Sequence, residues 1–173
     1  MIEQPRFTLV LGGARSGKSR YAEGLVAALP PPWVYVATAE ALDHEMAARI
    51  RTHRARRGPS WRTIEAPRDL KAALAACAQA PVLIDCLTLW LSNLMLGAAD
   101  IDAEIEELEK SLAAARSPVV LVANEVGSGI VPDNALGRHF RDAQGLLNQR
   151  IAARADRVVL MVAGLPLAVK GTL

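Results

Sequence analysis

The chain is short of cysteine, of aromatic residues, of excess charge and of long apolar runs, and each shortage excludes something. Only two of the 173 residues are cysteine. Cys77 and Cys86 form no CxxC pair and have no histidine at metal-ligand spacing, so neither a zinc site nor a disulfide scaffold is expected. Two thiols in a chain of this size suit a reducing, cytoplasmic compartment, with both cysteines in the core. The net charge is +2, far from the balance of a nucleic-acid-binding domain, so no nucleic-acid partner is expected and any basic function must be local. No run approaches the ~20 apolar residues of a membrane span. The opening MIEQPRFTLVLGG has an acid near its start and too short an apolar run for a signal peptide. Aromatics make up 4% of the chain, so its 51% hydrophobic content is mainly alanine, leucine and valine. That content excludes disorder, and the length suits one domain, residues 1–173.

What is present alternates between short apolar runs and helical stretches. FTLVL (7–11), WVYVAT (33–38), PVLIDC (81–86), PVVLVAN (118–124) and RVVLMVAG (157–164) read as buried strands. WRTIEAP (61–67) is a short strand or an extended loop, and LAVK near the end a short edge strand. Residues 18–29, 41–57, 68–79, 88–96, 100–117 and about 133–155 read as helices. In the fifth of these, Ile101, Ile105, Leu108 and Leu112 share a face, and acids crowd the start. The strand runs are continuous rather than alternating, so both faces of the sheet should be covered. Strands separated by helices predict an α/β layered fold with a mostly parallel sheet.

Residues 12–19 read GGARSGKS, which satisfies G-x-x-x-x-G-K-[ST] with Gly12, Gly17, Lys18 and Ser19. The motif follows a strand and opens a helix, the context its mechanism requires. Backbone N–H groups of such a loop turn inward on phosphate oxygens, and the helix N-terminus adds partial positive charge. Lys18 is expected to reach the β- and γ-phosphates, and Ser19 to ligate Mg²⁺. A second acid for the metal is expected at a strand end. Asp85 after PVLI is the candidate, with a helix N-cap as its plainer role, and Glu125 is the runner-up.

RIRTHRARR (49–57) places His53 among Arg49, Arg51, Arg54, Arg56 and Arg57. Such arginines can hold phosphate bidentately and disfavour the imidazolium, leaving a neutral, nucleophilic ring. The plainer reading is a solvated basic helix face. On one helix His44 and His53 point to opposite sides, and His139 lies far off in sequence, so a three-histidine metal site is not expected. His139 reads as a packing or hydrogen-bonding residue.

Six stretches together carry a resemblance: GGARSGKSRYAE (12–23), YVATAEALDHEMAARIRTHRARR (35–57), WRTIEAP (61–67), LIDCLTLWLSNLM (83–95), NEVGSGIVPDNALGRHFRD (124–142) and LNQRIAARAD (147–156). With these the chain resembles the bifunctional adenosylcobinamide kinase/adenosylcobinamide-phosphate guanylyltransferase family of cobalamin biosynthesis, over nearly its whole length. The resemblance implies a P-loop NTPase domain of the RecA-like, three-layer kind, and a homotrimer. It implies two reactions. A nucleoside triphosphate, ATP or GTP, phosphorylates the terminal hydroxyl of adenosylcobinamide. GTP then gives GMP to a histidine, here His53, and adenosylcobinamide phosphate takes the GMP to become adenosylcobinamide-GDP. The nucleotide contacts it implies fall on Gly12, Gly13, Ala14, Arg15, Ser16, Gly17, Lys18 and Ser19, on Thr38, Ala39 and Glu40, on Arg54, Ala55, Arg56 and Arg57, and on Glu65 and Asp85. Many members have glutamate where this chain has Asp85, and an acid where it has His44, a surface position.

Kinase chemistry takes place at the γ-phosphorus and guanylyl transfer at the α-phosphorus, so either two nucleotide poses or movement of residues 41–57 is expected. The loop NEVGSGIVP, with two glycines, either approaches a ligand closely or simply joins strand to helix. The alternatives are a single-activity P-loop small-molecule kinase, in which His53 merely packs, and a nucleotide-dependent regulatory protein. No NKxD guanine motif of a switch protein is present.

Overall fold

The computed structural model describes residues 5–40, 51, 54–55, 57–77 and 79–173. His44, His53 and Arg56 lie outside the described residues, as does most of the helix expected over 41–57. Among the described residues the elements are β1 (Phe7–Gly12), α1 (Lys18–Ala27), β2 (Trp33–Ala37), β3 (Trp61–Glu65), α2 (Leu70–Ala75), β4 (Val82–Asp85), α3 (Leu87–Leu96), α4 (Ile101–Ala114), β5 (Val119–Asn124), α5 (Ala135–Arg154), β6 (Arg157–Val162) and β7 (Leu165–Lys170).

The strands form one sheet in the order β3-β2-β4-β5-β1-β6-β7. Every pair is parallel except β6 with β7. Alternation of side chains across the strands sends two sets of apolar residues to opposite faces. Leu9, Val36, Ile84 and Leu121 meet Leu70, Trp90, Leu108, Leu147 and Ile151 from α2 to α5. Val10, Leu83, Val122 and Val159 meet Ala22 and Val26 of α1. The expected three-layer α/β sandwich with a mostly parallel sheet is what the chain builds. Both cysteines are free and buried, and no described helix is long and apolar enough to cross a membrane.

Local chemistry sets the element ends. Asp69, Asp100 and Asn134 each accept a hydrogen bond from the backbone N–H three residues on, at 2.8, 3.1 and 2.7 Å, the N-cap arrangement that satisfies an orphan donor. The cap at Asn134 starts α5 at Ala135 rather than at Asp133, and the cap at Asp69 starts the helix expected over 68–79 at Leu70; it ends early, at Ala75. WRTIE is an edge strand, paired in register with β2 from Trp33↔Trp61 to Ala37↔Glu65. The run at 157–164 ends as a strand at Val162, because Ala163 and Gly164, at φ 51° and 82°, make a two-residue turn into β7. Between α4 and α5, Glu109 takes both Arg150 (2.9 Å) and Arg154 (3.1 Å). The Arg150 hydrogen bonds outweigh burial and hold that carboxyl below its ordinary range.

Candidate active site

The carboxyl ends of the parallel strands lie along one edge. Ala37 is level with Glu65 and Asp85, and Gly12 is level with Asn124 and Met161. In an open α/β sheet this is the edge where ligands bind.

The loop at 13–17 is fixed from several sides. Ser16 N donates to Gly13 O at 3.3 Å and Gly164 N donates to Ser16 O at 3.1 Å, so the β6–β7 turn braces the loop. Glu125 N reaches Gly12 O at 3.1 Å from the end of β5. A Cβ on Gly12 would stand 2.4 Å from Ser16 Oγ and 2.9 Å from Met161 O, so only glycine lets the loop lie this close to β6. Gly17, at φ 92°, begins α1 with no side-chain cap, and no acid sits in the first turn, which leaves the helix's positive end open. Ser16 Oγ is buried with no hydrogen-bond partner, a polar atom awaiting a ligand. Gly13, Ala14 and Arg15 are exposed at the rim. Lys18 Nζ donates to Gly13 O at 2.9 Å, inside the loop.

Lys18 is also close enough to Cys86 to favour its thiolate, although burial wins and pushes that thiol up to about 11. Asp85, the residue before Cys86, is half-buried at the end of β4. Its Oδ2 accepts the Tyr35 hydroxyl at 3.1 Å. It does not cap α3, whose N-cap is Cys86. Over the other side of Tyr35 lies Arg57, its guanidinium carbon 3.6 Å from the ring centroid. Arg57 Nη1 is buried without an acceptor. Burial and then the Asp85 charge hold the Tyr35 phenol far above its ordinary value, with Arg57 pulling the other way.

The remaining expected contacts divide. Thr38 is fully buried, and its hydroxyl both donates to Cys86 O and accepts from Cys86 N, each at 2.7 Å. Its carbonyl accepts from Asn93 Nδ2 at 2.8 Å. Thr38 thus ties β2 to the β4–α3 turn and offers a ligand no free side chain. Ala39 is half-buried and Ala55 exposed. Arg54 and Glu65, about half exposed, form an ion pair. Glu40, Glu65 and Asp69 join Ile64, Ala72 and Ala76 around an open groove of about 550 Å³ beside β3. Glu125 folds its carboxylate back onto Gly127 N (2.7 Å) and Ser128 N (3.2 Å). Burial raises its pKa, but the Ser128 side chain together with these backbone bonds wins and leaves it below the ordinary value. His139 is exposed on α5.

Among the described residues no three His, Cys, Asp or Glu side chains could hold a metal by themselves. The donor chemistry fits a Mg²⁺ ion that arrives with a nucleotide: a hydroxyl from Ser19, one free oxygen of Asp85, and phosphates and waters for the rest. Tyr35 escaped the sequence reading. It lies in a run that reads as a core strand, and the only signal was a phenol that must find a partner when buried.

The model of the CobU family, described as cobinamide kinase / cobinamide phosphate guanyltransferase, matches residues 8–169. The chain is 49% identical over 167 residues to the bifunctional adenosylcobalamin biosynthesis protein CobP of Pseudomonas aeruginosa, covering 94% of this chain and 96% of that one. It is 44% identical to the bifunctional adenosylcobalamin biosynthesis protein CobU of Salmonella typhimurium, covering 94% and 98%. Among solved structures, a prototypical ATPase from the type III secretion system of pathogenic bacteria superposes with a TM-score of 0.59 at 11% identity, over 94% of this chain and 56% of that one. A protein of Pyrococcus horikoshii, PH0250, does so with a TM-score of 0.57 at 8% identity, over 97% and 87%. These two likenesses establish the fold, that of the P-loop NTPases.

Proposed function

The chain belongs to the cobinamide kinase / cobinamide phosphate guanyltransferase family, and from that premise we propose that it carries out both reactions on adenosylcobinamide, using the carboxyl edge of its sheet. In the first, the loop at Gly12–Ser19 holds the triphosphate of ATP or GTP. Its N–H groups and Lys18 stabilise the charge that develops as the substrate hydroxyl attacks the γ-phosphorus. In the second, His53 attacks the α-phosphorus of GTP, pyrophosphate leaves, and the substrate phosphate then displaces histidine from the GMP. Mg²⁺, when bound at Ser19 and Asp85, neutralises phosphate charge. Arg57 contributes its unpartnered Nη1 to an anion. Glu40 and Glu65 border the groove beside β3, and Arg54 is released from Glu65 when it turns to a phosphate. Ala39 and Ala55 contribute backbone only, and Thr38 keeps the edge in shape.

The observation that carries this reading is the braced loop with an orphan buried hydroxyl, Ser16 Oγ, beside a glycine where no Cβ fits. A single-activity kinase is not favoured, since the curated relatives are named bifunctional. One domain over residues 1–173, a cytoplasmic setting and a homotrimer belong to the same reading. The free cysteines support the compartment. Leu165, Leu167 and Val169, exposed in alternation on the edge strand β7, support association of copies.

The test is a labelling experiment with Mg²⁺ and GTP labelled at the α or the γ position. Protein-bound, acid-labile label from α-labelled GTP alone, absent in His53→Ala, is the expected result. No α label in the wild type, with phosphorylation of adenosylcobinamide intact, would reduce the protein to a kinase.

A further inference from the structure

Tyr35 stands in the middle of β2, level with Thr63 of β3 and Leu83 of β4. It is 6% exposed, and a phenylalanine would fill the same space. The hydroxyl therefore needs a reason. It donates to Asp85 Oδ2 at 3.1 Å. The same ring carries Arg57 on its face at 3.6 Å and meets Trp61 edge-on, centroids 6.4 Å apart. Trp61 in turn leans on Trp33 at 5.3 Å, so a pair of indoles backs the ring. One side chain thus touches both the strand-end acid and the segment that follows His53.

We propose that Tyr35 is a positioning residue shared by the two half-reactions: its hydroxyl fixes the Asp85 carboxylate, and its ring seats Arg57, four positions beyond His53. The hydroxyl occupies one oxygen of Asp85 and sets the plane of the carboxylate, so the second oxygen is the one offered to a metal. Outer-shell hydrogen bonds of this kind orient ligands and tune their affinity. The ring adds a cation–π contact that holds the arginine segment against the sheet. The inference rests on the function proposed above.

The two contacts separate by substitution. Tyr35→Phe keeps the ring and loses only the hydroxyl. GTP binding is measured by equilibrium dialysis, once with Mg²⁺ and once with EDTA. In Tyr35→Phe the tightening caused by Mg²⁺ is expected to fall about tenfold, with metal-free binding and thermal stability near wild type. On an Asp85→Ala background the same change should add nothing, because coupled residues are not additive. At saturating Mg²⁺, Tyr35→Phe should lose less α labelling than Tyr35→Leu. Tyr35→Leu should lose labelling as far as Arg57→Gln does, and the double variant no further. Unchanged Mg²⁺ dependence in Tyr35→Phe, or additive losses with Asp85→Ala, would overturn the proposal. A wild type that shows Mg²⁺-dependent GTP binding but takes no α label would sink the guanylyl-transfer reading instead, and the Mg²⁺ cycle would still decide the role of the hydroxyl.

Discussion

Two regions bring positive charge to the same edge of the sheet, and they are held by opposite means. The loop ending in Lys18 is fixed through the backbone, with hydrogen bonds from the ends of β5 and from the β6–β7 turn. The arginine segment is fixed through side chains: an exposed ion pair from Arg54 to Glu65 and a cation–π contact from Arg57 to Tyr35. Backbone anchoring of this kind is cooperative with the sheet and cannot be released piecemeal. An exposed ion pair contributes at most about 1 kcal/mol and is easily exchanged for another partner. One region is thus a fixed cradle, and the other a segment whose Arg54 contact can be exchanged at small cost. That difference bears on chemistry at two phosphorus atoms. If the cradle holds the triphosphate still, movement of the arginine segment, rather than a second nucleotide pose, is the arrangement we propose.

The largest effect should come from removing charge at the fixed cradle. Lys18→Met is expected to lower the rate of adenosylcobinamide phosphorylation by about 10²–10³, the usual consequence of deleting one preorganised donor to a developing negative charge. The fold should be unaffected, since backbone bonds from Ser16, Glu125 and Gly164 hold the loop in place. Steady-state kinetics with circular dichroism on the same preparations measure both. A rate within tenfold of wild type would mean that the cradle is not where the γ-phosphoryl group leaves.

The fixed region was also the legible one. Its loop is local in sequence, a strand, eight residues and a helix, so glycine spacing and a hydrophobic run suffice to find it. Asp85 was legible for the same reason, as the acid that ends an apolar run. What holds Asp85 was not, because Tyr35 lies 50 residues away in a strand that reads as core. Thr38 has a side-chain role that the sequence did not show. It matches a nucleotide-contact position by resemblance, yet its hydroxyl is spent on the peptide of Cys86, a pairing that only the parallel register of β2 and β4 creates. The turn at Ala163-Gly164 lacks the Asn-Gly or Asp-Gly signature of a two-residue hairpin, which is why the last strand read two residues too long. Asp133 and Asn134 are adjacent cap candidates, and only geometry chooses between them.

A second effect, of a kcal/mol or more, should appear in alkali and sharpen the picture of a closed cradle. Burial pushes the Cys86 thiol beside the loop up to about 11. Cys77, on the other face, is likewise raised to about 11 by burial. A folded-state pKa above the unfolded value means that the folded chain holds its proton more tightly. The stability so gained is complete below about pH 9 and is lost as pH rises from there towards 11. Thermal melts across that window should therefore shift downward, and Cys86→Ala should flatten part of the slope. A slope unchanged in Cys86→Ala would mean that burial does not hold the Cys86 thiol above its ordinary value.

The smallest effect should come from the arginine segment, and its smallness is the point. Glu65→Gln removes the partner of Arg54, with both side chains about half exposed, so the cost in thermal or denaturant stability should stay below about 1 kcal/mol. The functional consequence depends on which partner Arg54 has when GTP is bound. If the ion pair is a resting place for an arginine that turns to phosphate, freeing it should leave α labelling of the protein intact or raise it. Raised salt should then matter less in the variant than in the wild type, because the competing pair that salt screens is already gone. If Glu65 instead contacts the nucleotide itself, labelling falls while stability holds. A loss of several kcal/mol in stability would break the comparison altogether, because the arginine segment would then be as firmly built into the fold as the loop.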